Sequence, residues 1–185
     1  MKHLLVTLVV ACALIAPAQA HSKMSKTENL FSHIQQHQLE TIEQIREAPM
    51  AQKRELICLA LNIYHEARGS TNNDQMAVGF VTVNRLKSGR FGSSICEVVW
   101  QRSKGRNGKI VSQFSWTMYG VKRLIPRETL AWRESQRKAT LIYSGKEKDI
   151  TNGATHFHAT WMKSTAWSRN VKKVKIGQHF YMKAR

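Results

Sequence analysis

The sequence feature that most constrains this fold is an apolar helix that ends on a carboxylate. The run Leu56–Leu61 is entirely apolar, which is typical of a helix buried on all sides. Five residues later comes Glu66, followed by Arg68 and Gly69, and a glycine after a basic last turn predicts a helix C-cap. Burial at this position would raise the pKa of Glu66, as a general acid requires. The alternative is a solvated Glu66 paired with Arg68.

The first 20 residues predict an export signal. Lys2 is positively charged, residues 4–15 are almost entirely apolar, and Ala18–Ala20 form a small-x-small cleavage site. The apolar run is too short to span a bilayer comfortably. We therefore expect a signal peptide at residues 1–20 and a soluble mature protein exported to the periplasm, cell envelope or extracellular space. The alternative is a lipoprotein cleaved before Cys12, but the apolar run continues past that residue.

Cleavage after Ala20 would leave two cysteines, Cys58 and Cys96. In an oxidising compartment such a pair suggests a disulfide. Closing a loop of roughly forty residues would stabilise the fold by about 3–4 kcal/mol in the loop-entropy model. Two buried free thiols are the alternative if the protein stays in the cytosol. A bridge would brace the helix that carries Glu66.

The net charge of +17 implies an anionic partner. Nucleic acid, acidic lipid headgroups and an anionic wall polymer all meet this requirement. Export favours the lipid or the wall polymer, and the sequence contains no nucleic-acid-binding motif. We therefore expect no nucleic-acid partner.

Periodicity divides the chain into a lead-in and one domain. Residues 21–52 are polar and Gln-rich and predict an amphipathic helical lead-in, whereas residues 53–185 predict one folded domain. Helices are expected from Asn73 or Asp74 to Leu86, around residues 94–101, and from about Arg127 to Tyr143, with a flexible basic loop at residues 102–109.

The aromatic, alternating segments 154–159 and 176–182 predict strands. The expected fold class is therefore α+β, mainly helical, with a small antiparallel β-sheet near the C-terminus.

Five segments in order carry a family resemblance. They are CLALNIYHEARGS, DQMAVGFVTVNRLKSGRFGSSICEVVWQ, QFSW, NGATHFHATW and VKKVKIGQHFYM. Together, over residues 53–182, they resemble the cell-wall hydrolase family typified by the catalytic domain of spore-cortex-lytic enzymes. The resemblance implies a lysozyme- and transglycosylase-like fold and the glycan strands of peptidoglycan as substrate.

The resemblance also implies the site. The family's essential glutamate falls on Glu66, and its glycan cleft falls on Asn84, Arg85, Gln113, Phe114, Ser115, Trp116, His156 and His158. Tyr64 is a further candidate for stacking on a sugar. Each of these residues has a structural alternative: Trp116 is as compatible with core packing as with substrate contact, and Asn84 is either a structural bridge or a cleft ligand.

Two departures from the family pattern are visible. Exported relatives often have cysteines flanking the QFSW segment, followed by an acidic residue, where this chain has Ser112, Met118 and Tyr119. This predicts that a second disulfide is absent and leaves a supporting carboxylate in doubt. The usual proline-tryptophan pair near the end is replaced by Ala166 and Trp167.

The small number of carboxylates shapes the expected chemistry. Glycoside hydrolysis normally uses two carboxylates, yet Asp74 and Glu97 have ready structural roles at helix starts. A single Glu66 suits lytic transglycosylation of the MurNAc–GlcNAc bond, in which it acts first as acid and then as base. We expect a monomer that needs no cofactor or metal.

Two other function classes remain open. His156 and His158 share one face of a strand and, with His65, Glu66 or His179, could hold zinc in an amidase or peptidase, although no HExxH helix is present. A non-catalytic cationic protein that binds wall or membrane is the second. Its basic residues would be Arg102, Lys104, Arg106, Lys109, Lys122, Arg123, Lys172, Lys173 and Lys175.

Overall fold

The computed structural model describes residues 43, 46–105, 107–118, 126, 129–163 and 168–183. The expected signal peptide and most of the lead-in lie outside these residues, although residues 43, 46 and 47 are helical. Also outside them are Arg106, Tyr119, Lys122, Arg123, Arg127, Ala166 and Trp167. None of the described helices is long and apolar enough to cross a membrane.

One central helix, α1, is enclosed by three others, as its apolar run predicts. The helices are α1 (Met50–Ala67), α2 (Asn72–Lys87), α3 (Ile95–Trp100) and α4 (Leu130–Tyr143). Helix α1 contacts all of the other three, and Leu59 and Ile63 on it are fully buried. The approach is close at Gly79 on α2, where an added Cβ would lie 3.0 Å from Ile63 Cδ1. The same Cβ would also meet Ile142 Cδ1 on α4, so both isoleucine side chains would have to shift.

The helix ends differ from the predictions in detail. Helix α1 is capped by Arg68 in a right-handed conformation, and Gly69 does not adopt the left-handed one, so the predicted glycine cap is wrong. Helix α2 begins at Asn72, where the Thr71 side chain caps it. The last helix begins at Leu130 rather than near Arg127, because the Thr129 side chain accepts from Trp132 N–H and caps it there.

The predicted disulfide joins Cys58 on α1 to Cys96 on α3, with the two Cα atoms 5.2 Å apart. Next to it, the Glu55 carboxylate accepts a hydrogen bond from Ile95 N–H at the first turn of α3. One covalent bond and one cap therefore fix the short helix α3 to the first half of α1.

Two small antiparallel sheets complete the described fold. Strands β1 (Arg102–Lys104) and β2 (Ile110–Ser112) pair as a hairpin, whereas β3 (His156–Ala159), β4 (Lys173–Ile176) and β5 (His179–Met182) form a sheet in the order β3-β5-β4. The α+β class with a C-terminal sheet is confirmed.

Two predictions about strands were wrong. Residues 102–109 were expected to be a loop, but they form β1 and the turn of the hairpin. The run 176–182 was expected to be one strand, but it turns at Gly177, which has φ +54°. An added Cβ at Gly177 would lie 2.7 Å from the Cβ of Asp74, so the turn packs directly against the start of α2.

Candidate active site

The carboxyl group of Glu66 lies in the last turn of α1 and is partly buried. Burial raises its pKa to about 7, and His179 and Arg85 nearby act in the opposite direction. No ion pair joins Glu66 to Arg68, whose guanidinium lies 4.9 Å from the centre of the Tyr64 ring instead. Glu66 is therefore a desolvated carboxyl that is half protonated near neutral pH, as the burial hypothesis predicts.

Arg85 on α2 supplies a buried positive charge near Glu66. Its side chain is 5% exposed, its Nε donates to the carbonyl of Thr155 (2.7 Å), and its guanidinium lies 5.0 and 4.8 Å from the ring centres of Phe91 and Phe114. Its Nη1 is buried without a hydrogen-bond partner among the described residues. Burial lowers the pKa of Arg85 to about 10 while Glu66 acts to raise it, so the group stays charged at neutral pH.

A second buried carboxylate, Asp74, is saturated with donors. It is fully buried and accepts from the Tyr181 hydroxyl (2.6 Å), His179 Nδ1 (2.9 Å) and the backbone N–H of Gln178 (3.1 Å). Although burial acts to raise it, these hydrogen bonds hold the pKa of Asp74 below its usual value. Asp74 therefore orients His179 beside Glu66, and its acceptor positions are already occupied by protein donors rather than by a substrate.

One wall of the candidate site is a buried polar chain on the Glu66 face of α1, because Asn62 lies one helical turn before Glu66. Asn62 donates to Thr82 Oγ1 (2.9 Å) and accepts from the indole N–H of Trp116 (3.0 Å). The Trp116 ring is 6% exposed and stacks on His65, with ring centres 4.6 Å apart. These contacts correspond to the packing alternative for Trp116, and they lock the QFSW segment against the turn of helix that carries Glu66.

Asn84 makes the contacts of a structural bridge. Its Nδ2 donates to Asp149 Oδ2 (2.8 Å) and to the carbonyl of Ala154 (3.1 Å). Asp149 also accepts from Thr151 N–H and Gly153 N–H, and these bonds hold the loop before β3 against α2. Of the two alternatives left open by the sequence, the bridge is the one that these contacts favour.

The other predicted site residues are spread around Glu66. Tyr64 is half-buried with its ring edge-on to Trp132, Gln113 donates to Ser103 Oγ (3.2 Å), and Ser115 is exposed. Burial, together with the charges of Arg85 and Arg90, lowers the pKa of His156 to about 4. His156 is therefore neutral at neutral pH.

His158 belongs to the sheet rather than to a metal cluster. It is buried, its Nδ1 lies 3.0 Å from the carbonyl oxygen of Ala159, and its ring centre lies 5.7 Å from that of Phe180. Among the residues that the structure describes, no three His, Cys, Asp or Glu side chains are grouped closely enough to hold a metal ion.

Part of this site was not predicted from the sequence. Phe91 and Tyr181 were not considered, Asp74 was given only a helix-start role, and His179 was considered only as a metal ligand. An aspartate, a histidine and a tyrosine spread over 107 residues leave no local signal. The only available signal was the alternation in the HFYM strand, which places His179 and Tyr181 on one face.

Comparison with known proteins identifies the family and a protein of similar fold. The family model for cell wall hydrolases matches residues 69–182, a range that begins just after Glu66. The catalytic domain of the germination-specific lytic transglycosylase SleB from Bacillus anthracis has a similar fold, with a TM-score of 0.53 and 22% sequence identity. The similarity covers 74% of this chain and 98% of that domain. No curated protein matches in sequence.

Proposed function

The chain belongs to the cell wall hydrolase family, and from that premise we propose that it cuts the glycan strand of peptidoglycan. The bond cleaved is the one between N-acetylmuramic acid and N-acetylglucosamine, and the reaction is lytic transglycosylation. The N-terminal pattern of residues 1–20 and the disulfide support export to the cell envelope or beyond.

The observation that carries this proposal is the state of Glu66. A carboxyl with a pKa of about 7 is protonated often enough to donate a proton and ionised often enough to accept one. Two other carboxylates near the site already accept several hydrogen bonds: the buried Asp74 accepts from His179 and Tyr181, and the exposed Asp149 accepts from Asn84 and its own loop. A one-carboxylate mechanism fits this inventory better than a two-carboxylate hydrolysis.

The proposed reaction uses Glu66 twice. Its proton goes to the glycosidic oxygen as the C1–O bond breaks and an oxocarbenium-like muramyl residue forms. The 6-hydroxyl of the same sugar then attacks C1, and its proton returns to the Glu66 carboxylate. The products are a 1,6-anhydro-muramyl end and a free 4-hydroxyl on the leaving glycan, and no water is consumed.

Two neighbouring groups support the ionised intermediate state of Glu66. Arg85 has a buried cation whose Nη1 makes no hydrogen bond among the described residues, and His179 is held by Asp74. Both favour the carboxylate that exists between the two proton transfers. Because burial opposes them, Glu66 remains able to regain its proton.

We propose that the sugar is bound by the partly or fully exposed predicted residues other than the bridging Asn84, which are Tyr64, Gln113, Ser115 and His156. A zinc amidase or peptidase is the rival enzyme, and the described residues offer it no three-ligand cluster. A non-catalytic cationic protein is the rival that needs no site.

The test is mass spectrometry of muropeptides released from purified peptidoglycan. The mature protein, Glu66→Gln and the control Glu147→Gln are compared with and without EDTA. Glu147 is an exposed carboxylate after α4, so its substitution makes the same chemical change away from the site. We expect anhydro-muramyl products from the wild type and Glu147→Gln, none from Glu66→Gln, and no effect of EDTA.

Other products would identify a rival. Reducing muramyl ends lost in Glu66→Gln would mean hydrolysis, with water in place of the 6-hydroxyl. Cleaved stem peptides that disappear with EDTA would establish the zinc enzyme. Lysis of cells that survives in Glu66→Gln would favour the cationic binding protein.

A further inference from the structure

The β1–β2 hairpin projects apolar side chains into solvent. All three residues of β1 are exposed, and Ile110 and Val111 on β2 are 61% and 46% exposed. A two-stranded hairpin that buries so little of its own surface is marginally stable in water. Exposed apolar side chains on such an element indicate a contact surface.

The same hairpin is strongly cationic. Residues 102–112 contain no acidic residue and four basic ones, which are Arg102, Lys104, Arg106 and Lys109. Of those within the described part of the chain, Arg102, Lys104 and Lys109 are all exposed and form no ion pair with another described residue. The hairpin therefore presents uncompensated positive charge.

The hairpin is continuous with one wall of the candidate active site. Strand β2 runs directly into Gln113, whose amide donates to Ser103 Oγ on β1 (3.2 Å). The next residue, Phe114, lies against Arg85, and Trp116 stacks on His65, the neighbour of Glu66. The QFSW segment therefore connects the hairpin to the surroundings of Glu66, with Ser115 exposed between the two buried aromatic residues.

We propose that this hairpin binds the carboxylate-bearing stem peptides of the glycan strand being cut, an inference that rests on the proposed function. Each muramyl unit carries a short peptide with free carboxylates and alanine methyl groups. Cations beside β-branched side chains complement both features. An anionic membrane would complement the charge as well, but continuity with the wall beside Glu66 favours a ligand attached to the substrate.

The test combines a protein change with a substrate change. The hairpin triple variant is Arg102→Gln, Lys104→Gln and Lys109→Gln, and the control triple variant is Lys146→Gln, Lys148→Gln and Lys172→Gln, which removes the same charge from other exposed positions. The rate of anhydro-muramyl release is measured on native sacculi and on sacculi whose stem carboxylates have been amidated, at physiological salt.

We expect kcat/KM of the hairpin variant on native sacculi to fall by roughly three- to tenfold, because three exposed ion pairs with stem carboxylates are lost. The fall should come from a higher KM. The wild type on amidated sacculi should fall to the same level, and combining both changes should cause no further loss. The control variant should behave like the wild type on native sacculi.

Other patterns overturn the inference. Equal losses in the two triple variants would mean that only total charge matters. Additive losses from variant and amidation would mean that the hairpin does not contact stem carboxylates. Unchanged rates together with release of the hairpin variant from anionic phospholipid vesicles would make a membrane the partner. A wild type that releases no anhydro-muramyl product from native sacculi would instead refute the proposed function.

Discussion

The two halves of helix α1 differ in function: the first half is attached to a neighbouring helix, and the second half carries the candidate catalytic carboxyl. The first half is fixed to α3 by the Cys58–Cys96 bridge and by the Glu55 hydrogen bond to Ile95 N–H. The second half presents Glu66, whose carboxyl makes no hydrogen bond with another described residue and whose pKa is raised to about 7. The first half thus provides stability, whereas the second keeps a carboxyl in an unfavourable environment that suits proton transfer.

The largest expected effect is the loss of enzymatic activity when Glu66, in the second half of α1, is replaced. Glu66→Gln keeps the shape of the side chain but removes the ionisable carboxyl that donates and accepts the proton, so we expect kcat to fall by roughly 10²–10⁴-fold. Turnover of purified sacculi measures this, with Glu147→Gln as control. A fall of less than tenfold would assign the proton transfer to another group.

The next largest expected effect is a lower free energy of unfolding when the disulfide in the first half of α1 is removed. The double variant Cys58→Ser and Cys96→Ser removes a bridge across a sequence separation of 38 residues, so we expect about 4 kcal/mol less stability from loop entropy. Urea unfolding measures it, with and without reductant for the wild type. Activity per folded molecule should be retained at low temperature, and a selective loss of kcat would mean that the bridge also positions Glu66.

Glu66→Gln should also stabilise the protein, but only at high pH. The folded pKa of Glu66 lies above the value of an unfolded carboxyl, so its contribution to folding is favourable at low pH and is lost as pH rises toward and past 7. We expect the variant to be more stable than the wild type by on the order of 2–3 kcal/mol at pH 8 and nearly equal to it at pH 4. Thermal unfolding at the two pH values measures this, and a pH-independent difference would contradict the burial of Glu66.

The smallest effect concerns the cation beside Glu66. Because Arg85 lowers the pKa of Glu66, Arg85→Gln should move the high-pH limb of the kcat/KM profile upward. Arg85→Lys, which keeps a charge, should move it less. Stability curves of both variants control for the lost packing on Phe91 and Phe114. If the high-pH limb of kcat/KM does not move in Arg85→Gln, Arg85 contributes only packing.

The parts that could be predicted from the sequence have local causes. The position of α1 follows from its apolar run, and the disulfide follows from having two cysteines after the expected cleavage site. The hairpin could not be predicted in the same way, because the exposed Ile110 and Val111 do not alternate with polar residues. The turn at Gly177 was missed because alternation continues on both sides of it.

The site was only partly predictable for a different reason. Glu66 lies at the end of the helix that the apolar run identifies, whereas the link between Asp74 and His179 joins residues 105 apart. The sequence predicts that Asn84, a polar residue on a mostly apolar helix, must form hydrogen bonds, but it does not predict with which groups. Those depend on where the loop at Asp149 returns to α2.

The most direct test of the account is a titration of the Glu66 carboxyl by ¹³C NMR between pH 3 and 9, with its signal assigned by comparison with Glu66→Gln. We expect the titration of the Glu66 carboxyl to have its midpoint near pH 7 and to coincide with the high-pH limb of kcat/KM on sacculi. A midpoint near the ordinary glutamate value, or a limb that does not follow this titration, would contradict the claim that one buried glutamate performs both proton transfers.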